Sequence, residues 1–177
     1  CRLVPDAGWL RMQRAIIRAH LAGALQDRGE DGIPWFRSAV EDLEGLAIDL
    51  AADGSPLLAA RGGCWALLAR IAALDGRDPG FLIERALADL DEVVRHSPRD
   101  AAAHLNRGSA WVERATLESA RGRDAREPAA RALAEHEEAL RLDPELAEGK
   151  SGRALALGAL AVARAAAGED VEAVYLA

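Results

Sequence analysis

The sequence is poor in the residues from which sheets are made. It has four Trp, two Phe and one Tyr in 177 positions, with eight Val, six Ile and a single Thr. Strands draw on β-branched and aromatic side chains, so this scarcity excludes a sheet-built domain. Lysine is nearly absent, Lys150 standing alone beside 21 Arg, and the net charge is -7. An acidic chain with scattered cations has no electropositive footprint for a phosphate backbone, which excludes nucleic acid as the expected partner. Two cysteines, Cys1 and Cys64, are too few for a disulfide framework and fall in no metal-binding spacing. That usage points to a cytoplasmic location. Long hydrophobic runs are missing too. The longest apolar stretch, Ala154 to Ala163, lies between Arg153 and Arg164 and is far below the roughly 20 residues that cross a bilayer, so no membrane is expected. No signal peptide and no initiator Met are visible.

Alanine and leucine fill the chain instead, with 40 and 25 residues. Both lose little side-chain freedom in a helix, and the expected fold class is all-α. A chain of this length buries on the order of two-thirds of its unfolded surface, enough to fold without a metal or disulfide staple.

The sequence repeats itself. Arg61-Gly62-Gly63-Cys64-Trp65 returns 46 positions later as Arg107-Gly108-Ser109-Ala110-Trp111, and again as Arg153-Ala154-Leu155-Ala156-Leu157. One step back, at 47, stands Arg14-Ala15-Ile16-Ile17-Arg18. After each arginine comes a glycine followed two places on by aspartate: Gly29 and Asp31, Gly76 and Asp78, Gly122 and Asp124, Gly168 and Asp170. The stretch before each glycine has apolar positions at helical spacing and room for about five turns. The glycine supplies a left-handed C-cap, the aspartate an N-cap for a second helix, and Pro79 a first helical position that needs no donor. Second helices end near Ser97-Pro98 and Asp143-Pro144.

A helix, a glycine turn, an antiparallel helix and a closing proline resemble the tetratricopeptide repeat, TPR. In the third unit His104, Arg107, Gly108, Trp111, Ala132, Ala139 and Pro144 stand in that family's aromatic, large, small, aromatic, small, small and proline places. The family's unit has 34 residues, whereas this one has 46 or 47, with two extra turns in the first helix and a longer connection. The resemblance implies a right-handed TPR-like α-solenoid of antiparallel helix pairs over 1–177, with unit boundaries near 6, 53, 99 and 145. First helices are expected near 7–28, 56–75, 100–121 and 146–167, and second helices near 33–51, 79–96, 126–142 and 170–177. Long repeats with Arg-Gly and then Gly-Glu-Asp are also similar to those trailing the kinase domain of some bacterial serine/threonine protein kinases.

Cys1-Arg2-Leu3-Val4-Pro5 aligns with Leu140-Arg141-Leu142-Asp143-Pro144, and Ala177 comes seven residues after Asp170. Both ends are therefore expected inside repeats of a longer chain. Open apolar surface is expected around Trp9, Trp35 and Ala159 to Ala167, with self-association through uncapped ends.

No pattern demands chemistry. His20, His96, His104 and His136 stand at no metal-ligand spacing from one another or from a cysteine, so neither metal nor cofactor is expected. The acidic groups of the second helices, Glu41-Asp42 with Glu44, Asp89 with Asp91-Glu92 and Glu135 with Glu137-Glu138, recur with the period, as a solvated face does and an active site does not. Gly62-Gly63 has no preceding strand or following Walker lysine and reads as close helix packing. Trp65 and Trp111 share a phase and are expected in the core between repeats, whereas Trp9 and Trp35-Phe36 are candidates for an outside contact. Arg14, Arg61, Arg107 and Arg153 are expected to pair with an acid of the second helix, Asp42, Asp89 and Glu135 for the first three, because a bidentate partner makes a cation tolerable between packed helices.

The expected function is a non-catalytic protein-interaction scaffold within a larger bacterial protein, such as the regulatory region of a kinase. The alternative is a structural spacer with no ligand. The resemblance places Gln13, His20, Asn106, Ser109, Glu113 and Ser151 on the inward, partner-binding face. Family members that hold chaperone tails by their C-terminal carboxylate use lysine, arginine and asparagine there. Only Asn106 matches, so a protein or peptide partner of neutral or basic character is expected.

Overall fold

The computed structural model describes residues 7–46 and 55–175, and helix dominates them, with no strand among the described residues. Seven long helices and a final single turn follow in order: α1 (Ala7–Asp27), α2 (Ile33–Glu44), α3 (Ser55–Leu74), α4 (Gly80–His96), α5 (Ala101–Ala120), α6 (Arg126–Leu142), α7 (Ala147–Ala166) and α8 (Glu172–Tyr175).

The glycine turns are the joints. Gly29, Gly76, Gly122 and Gly168 have φ of 72°, 70°, 66° and 74°, a left-handed conformation that side chains disfavour. At each one the amide of the next residue reaches back to the carbonyl five places earlier, as from Arg77 N to Ala72 O at 2.8 Å and Arg123 N to Glu118 O at 2.8 Å. This satisfies carbonyls that a helix end leaves free. The expected aspartates follow, each accepting from the amide two residues on: Asp31 from Ile33, Asp78 from Gly80, Asp124 from Arg126 and Asp170 from Glu172. They stand one place further out than a simple N-cap, because Gly32, Pro79 and Ala125 occupy the flanking position.

The helices form two layers. α1, α3, α5 and α7 lie side by side, and α2, α4 and α6 pack behind them, each against its own first helix and the next one. An all-α solenoid of paired helices results. One core joins the first two pairs, with Met12, Ala15, Leu43, Trp65, Leu68, Ile83 and Leu90 fully or almost fully buried. A second joins α5, α6, α7 and α8 through Ala115, Ala129, Leu160 and Val174. Small residues bring the layers close, since a Cβ on Gly62 would lie 2.6 Å from Leu90 Cγ. α3 lies between α1 and α5, and its segment Pro56–Leu74 is long and apolar enough by composition to cross a membrane, an exception to the sequence expectation. Half of that segment is buried inside the array, against α1, α4 and α5.

Several expectations need correction. α2 stops at Glu44, not 51, since Gly45 closes it and its carbonyl accepts from Arg11 Nη1 at 2.5 Å. Positions 47–51 lie outside the described residues, as do Cys1 to Pro5 and 176–177. Phe36 is not an outside contact, for it is buried with the Arg77 guanidinium 4.0 Å from its ring centre. Trp111 is only half-buried, its ring covered by Arg131 at 4.8 Å, while Trp65 lies in the core as expected. In the Ala159 to Ala167 region Val162 and Ala165 to Ala167 are exposed as expected, but Leu160, Ala161 and Ala163 are buried.

Candidate functional site

The layer of first helices carries the candidate site, a groove of about 750 Å³ crossing α1, α3, α5 and α7. Ile16 and His20 come from α1, Gly63 and Leu67 from α3, Leu105, Asn106 and Ser109 from α5, and Ser151, Gly152 and Leu155 from α7. The repeat explains this lining, because positions 16, 63, 109 and 155 are one register place in four units. A smaller extension of about 330 Å³ continues the groove past Val112 and Glu113 to His136 of α6. Gly63 keeps the centre open, since a Cβ there would stand 3.2 Å from Asn106 Nδ2 and crowd its amide.

Four of the six residues expected on the inward face, His20, Asn106, Ser109 and Ser151, line the main groove. Glu113 lines the extension with Asn106 and Ser109. Gln13 does not line it, although its counterparts Ala60, Asn106 and Gly152 do. That register place borders the preceding unit, as Asn106 borders Gly63 of α3, and α1 has no preceding first helix among the described residues.

The polar groups differ in what they have left to offer. His20 Nδ1 lies 2.9 Å from Ile16 O. Ser109 Oγ donates to Leu105 O at 3.1 Å and Ser151 Oγ to Ala147 O at 3.5 Å, which leaves the hydroxyl lone pairs as acceptors. The Asn106 amide has no partner among the described residues. Burial pushes the Glu113 carboxyl above its ordinary range, opposed by the charge of Arg70. Cys64, a free thiol at the groove's edge, is pushed up to about 12 by burial and is unreactive as a nucleophile.

His136 was not anticipated as part of the site. It is 0% exposed at the end of the extension, and neither ring nitrogen has a hydrogen-bond partner. Gly108 and Gly152 make room for it, since a Cβ on either would overlap the ring. Burial pushes its titration down, against the charge of Glu135. Its register place holds Leu43 and Leu90 in the other units, which is the signal in the sequence that marks it.

The arginine ladder lies between the layers. Arg14 meets Asp42 at 2.9 and 2.5 Å, Arg61 meets Asp89 at 2.7 Å twice, and Arg107 Nη2 meets Glu135 at 2.6 Å. His104 Nδ1 takes the other Glu135 oxygen at 2.8 Å. Burial alone would raise the Asp42 carboxyl, but Arg14 and Arg18 outweigh it and hold the group below its usual range. The acidic groups of the second helices are thus divided. One acid of each faces inward to an arginine, while others, such as Glu41, Asp91 and Glu137, remain exposed, so the solvated-face expectation is corrected for Asp42, Asp89 and Glu135. No cluster of three His, Cys, Asp or Glu able to hold a metal occurs among the described residues.

In comparisons with known proteins, the chain matches no family model, no curated protein and no solved structure.

Proposed function

We propose that the chain is a non-catalytic helical-repeat scaffold whose first-helix groove holds a segment of another polypeptide. The observation that carries this reading is an open groove across four helices with an unpaired amide, Asn106, at its centre. An extended backbone offers the donors and acceptors that Asn106 and the Ser109 and Ser151 hydroxyls lack. Ile16, Leu105 and the exposed Leu155 give apolar side chains a wall, but no aromatic anchor lines the groove, so binding is weak. Glu113 and Glu148 against the single cation Arg70 favour a neutral or basic segment.

The same reading sets the scaffold in the cytoplasm as part of a larger bacterial protein, such as the regulatory region of a serine/threonine kinase. The free thiol of Cys64 supports the compartment, and the resemblance of the Arg-Gly and Gly-Glu-Asp pattern supports the setting. Titrating one basic and one acidic peptide of equal length into the protein, followed by calorimetry, tests the groove. The basic peptide binds, and Asn106→Ala weakens it. Tight binding of the acidic peptide that Asn106→Ala abolishes refutes the charge argument, and binding of neither returns the array to a spacer.

A further inference from the structure

The first unit is exposed where the later units are covered. Ile17 is 65% exposed, yet its counterparts Cys64, Ala110 and Ala156 are 4%, 0% and 0% exposed. Ala110 belongs to the core built from the preceding pairs. Leu10 is 54% exposed, whereas its counterpart Leu57 is half-buried and Ala103 is buried with Leu58 and Val93 of the preceding pair. Gly149 holds that place in α7, and a Cβ on it would lie 3.0 Å from Leu140, near the end of the preceding second helix. Trp35, exposed, has the buried counterparts Leu82, Pro128 and Val174.

The arginines point the same way. Arg61 Nη1 donates to Leu46 O at 3.0 Å, Arg107 Nη1 to Asp91 Oδ1 at 3.2 Å, and Arg153 Nε stands 3.5 Å from Glu137 Oε1. Each of these partners belongs to the preceding unit, 15 or 16 positions earlier. Arg14, by contrast, contacts Asp42 alone among the described residues.

We propose that this end of the stack is an interface that seats one more helix pair of the same repeat from the same polypeptide. The end of its second helix lies over Leu10 and Ile17 and presents a carboxylate to Arg14. Continuity with three existing joints specifies the apolar contact, and the Arg107–Asp91 and Arg153–Glu137 pairs specify the acid. A second copy docked face to face is a poor occupant. α1 carries Arg11, Arg14 and Arg18 with no acid before Asp27, so symmetric pairing brings like charges together.

The test places a duplicate of residues 100–145 directly before Ala7, in place of residues 1–6, because Ala7 and Leu146 share a register position. Ile17→Cys then puts a reporter thiol where Cys64 stands in the next unit, and its labelling is followed by mass spectrometry. In the natural chain the introduced thiol reacts as a surface group. In the extended chain it becomes as slow as Cys64, and Glu137→Lys in the duplicate restores part of the reactivity. Equal labelling in both chains overturns the proposal, as does an extended chain that fails to fold while the natural one folds. Protection already present in the natural chain, with a dimer seen by light scattering, also overturns it by making a second copy the occupant.

Discussion

Arg61 and Asp89, 28 positions apart, face each other across a helix pair through two parallel contacts, Nε to Oδ2 and Nη2 to Oδ1, both 2.7 Å. The same separation joins Arg14 to Asp42 and Arg107 to Glu135. A planar guanidinium fits a carboxylate in this way, and a lysine does not. The pairing therefore fixes how each second helix is rotated against its first, at a place where unpaired charges would be costly.

Asp89→Ala leaves Arg61 mostly buried with Leu46 O as its remaining partner. Removing one member of such a pair costs about 3 kcal/mol, whereas replacing both by apolar residues of similar volume costs far less. Urea unfolding of Asp89→Ala and of the double variant Arg61→Met with Asp89→Leu measures both. A double variant as unstable as the single one contradicts the assignment.

Three glycines should respond differently to alanine. At Gly158, inside α7, nothing lies within 4 Å of an added Cβ, so Gly158→Ala stabilises by about 1 kcal/mol through helix propensity. At Gly76 there is equal space but a φ of 70°, and Gly76→Ala destabilises by about 1 kcal/mol. Gly62→Ala meets Leu90 and destabilises the natural chain, yet stabilises a Leu90→Ala background. Denaturant midpoints give all three signs. Loss of stability at Gly62 in both backgrounds would falsify the packing explanation.

Acid should weaken the array through His136. Its folded titration lies below the ordinary value of 6.5, so the unfolded chain binds the proton more readily. The contribution of the neutral ring is fully present above about pH 6.5 and is lost as pH falls towards the folded value. His136→Leu supplies the residue found at this place in the other units, removes two unpartnered buried nitrogens and stabilises by about 1 kcal/mol or more at pH 7. Thermal melts of both proteins from pH 8 to pH 5 check it, and the variant should lose part of the natural chain's decline. Parallel declines remove His136 as a source of acid sensitivity.

Composition and period were sufficient for much of this molecule. Scarce β-branched and aromatic residues with abundant Ala and Leu determined the helical class, since propensity is a local property summed along the chain. The recurring Gly and Asp located the turns, because a left-handed residue and an amide acceptor are needed at a helix junction whatever surrounds it. The arginine pairs were legible as well, as charges repeating in register on two facing helices require one another.

Other features depended on which neighbours happen to pack together. Phe36 and Trp35 are adjacent in sequence, and only the docking of α2 on α1 decided that one is buried and the other exposed. α2 stops at Glu44, and the Gly45 carbonyl beyond it is taken by Arg11 of another helix. Gln13 and Asn106 share a register place, but that place borders the preceding first helix, which α1 lacks among the described residues, so position in the stack separates them. His136 became part of the groove through Gly108 and Gly152, 28 positions before it and 16 after, which only the folded array brings against its ring. Local conformation is set by neighbours along the chain, whereas burial and the groove are set by neighbours in space, and here those come from the units on either side.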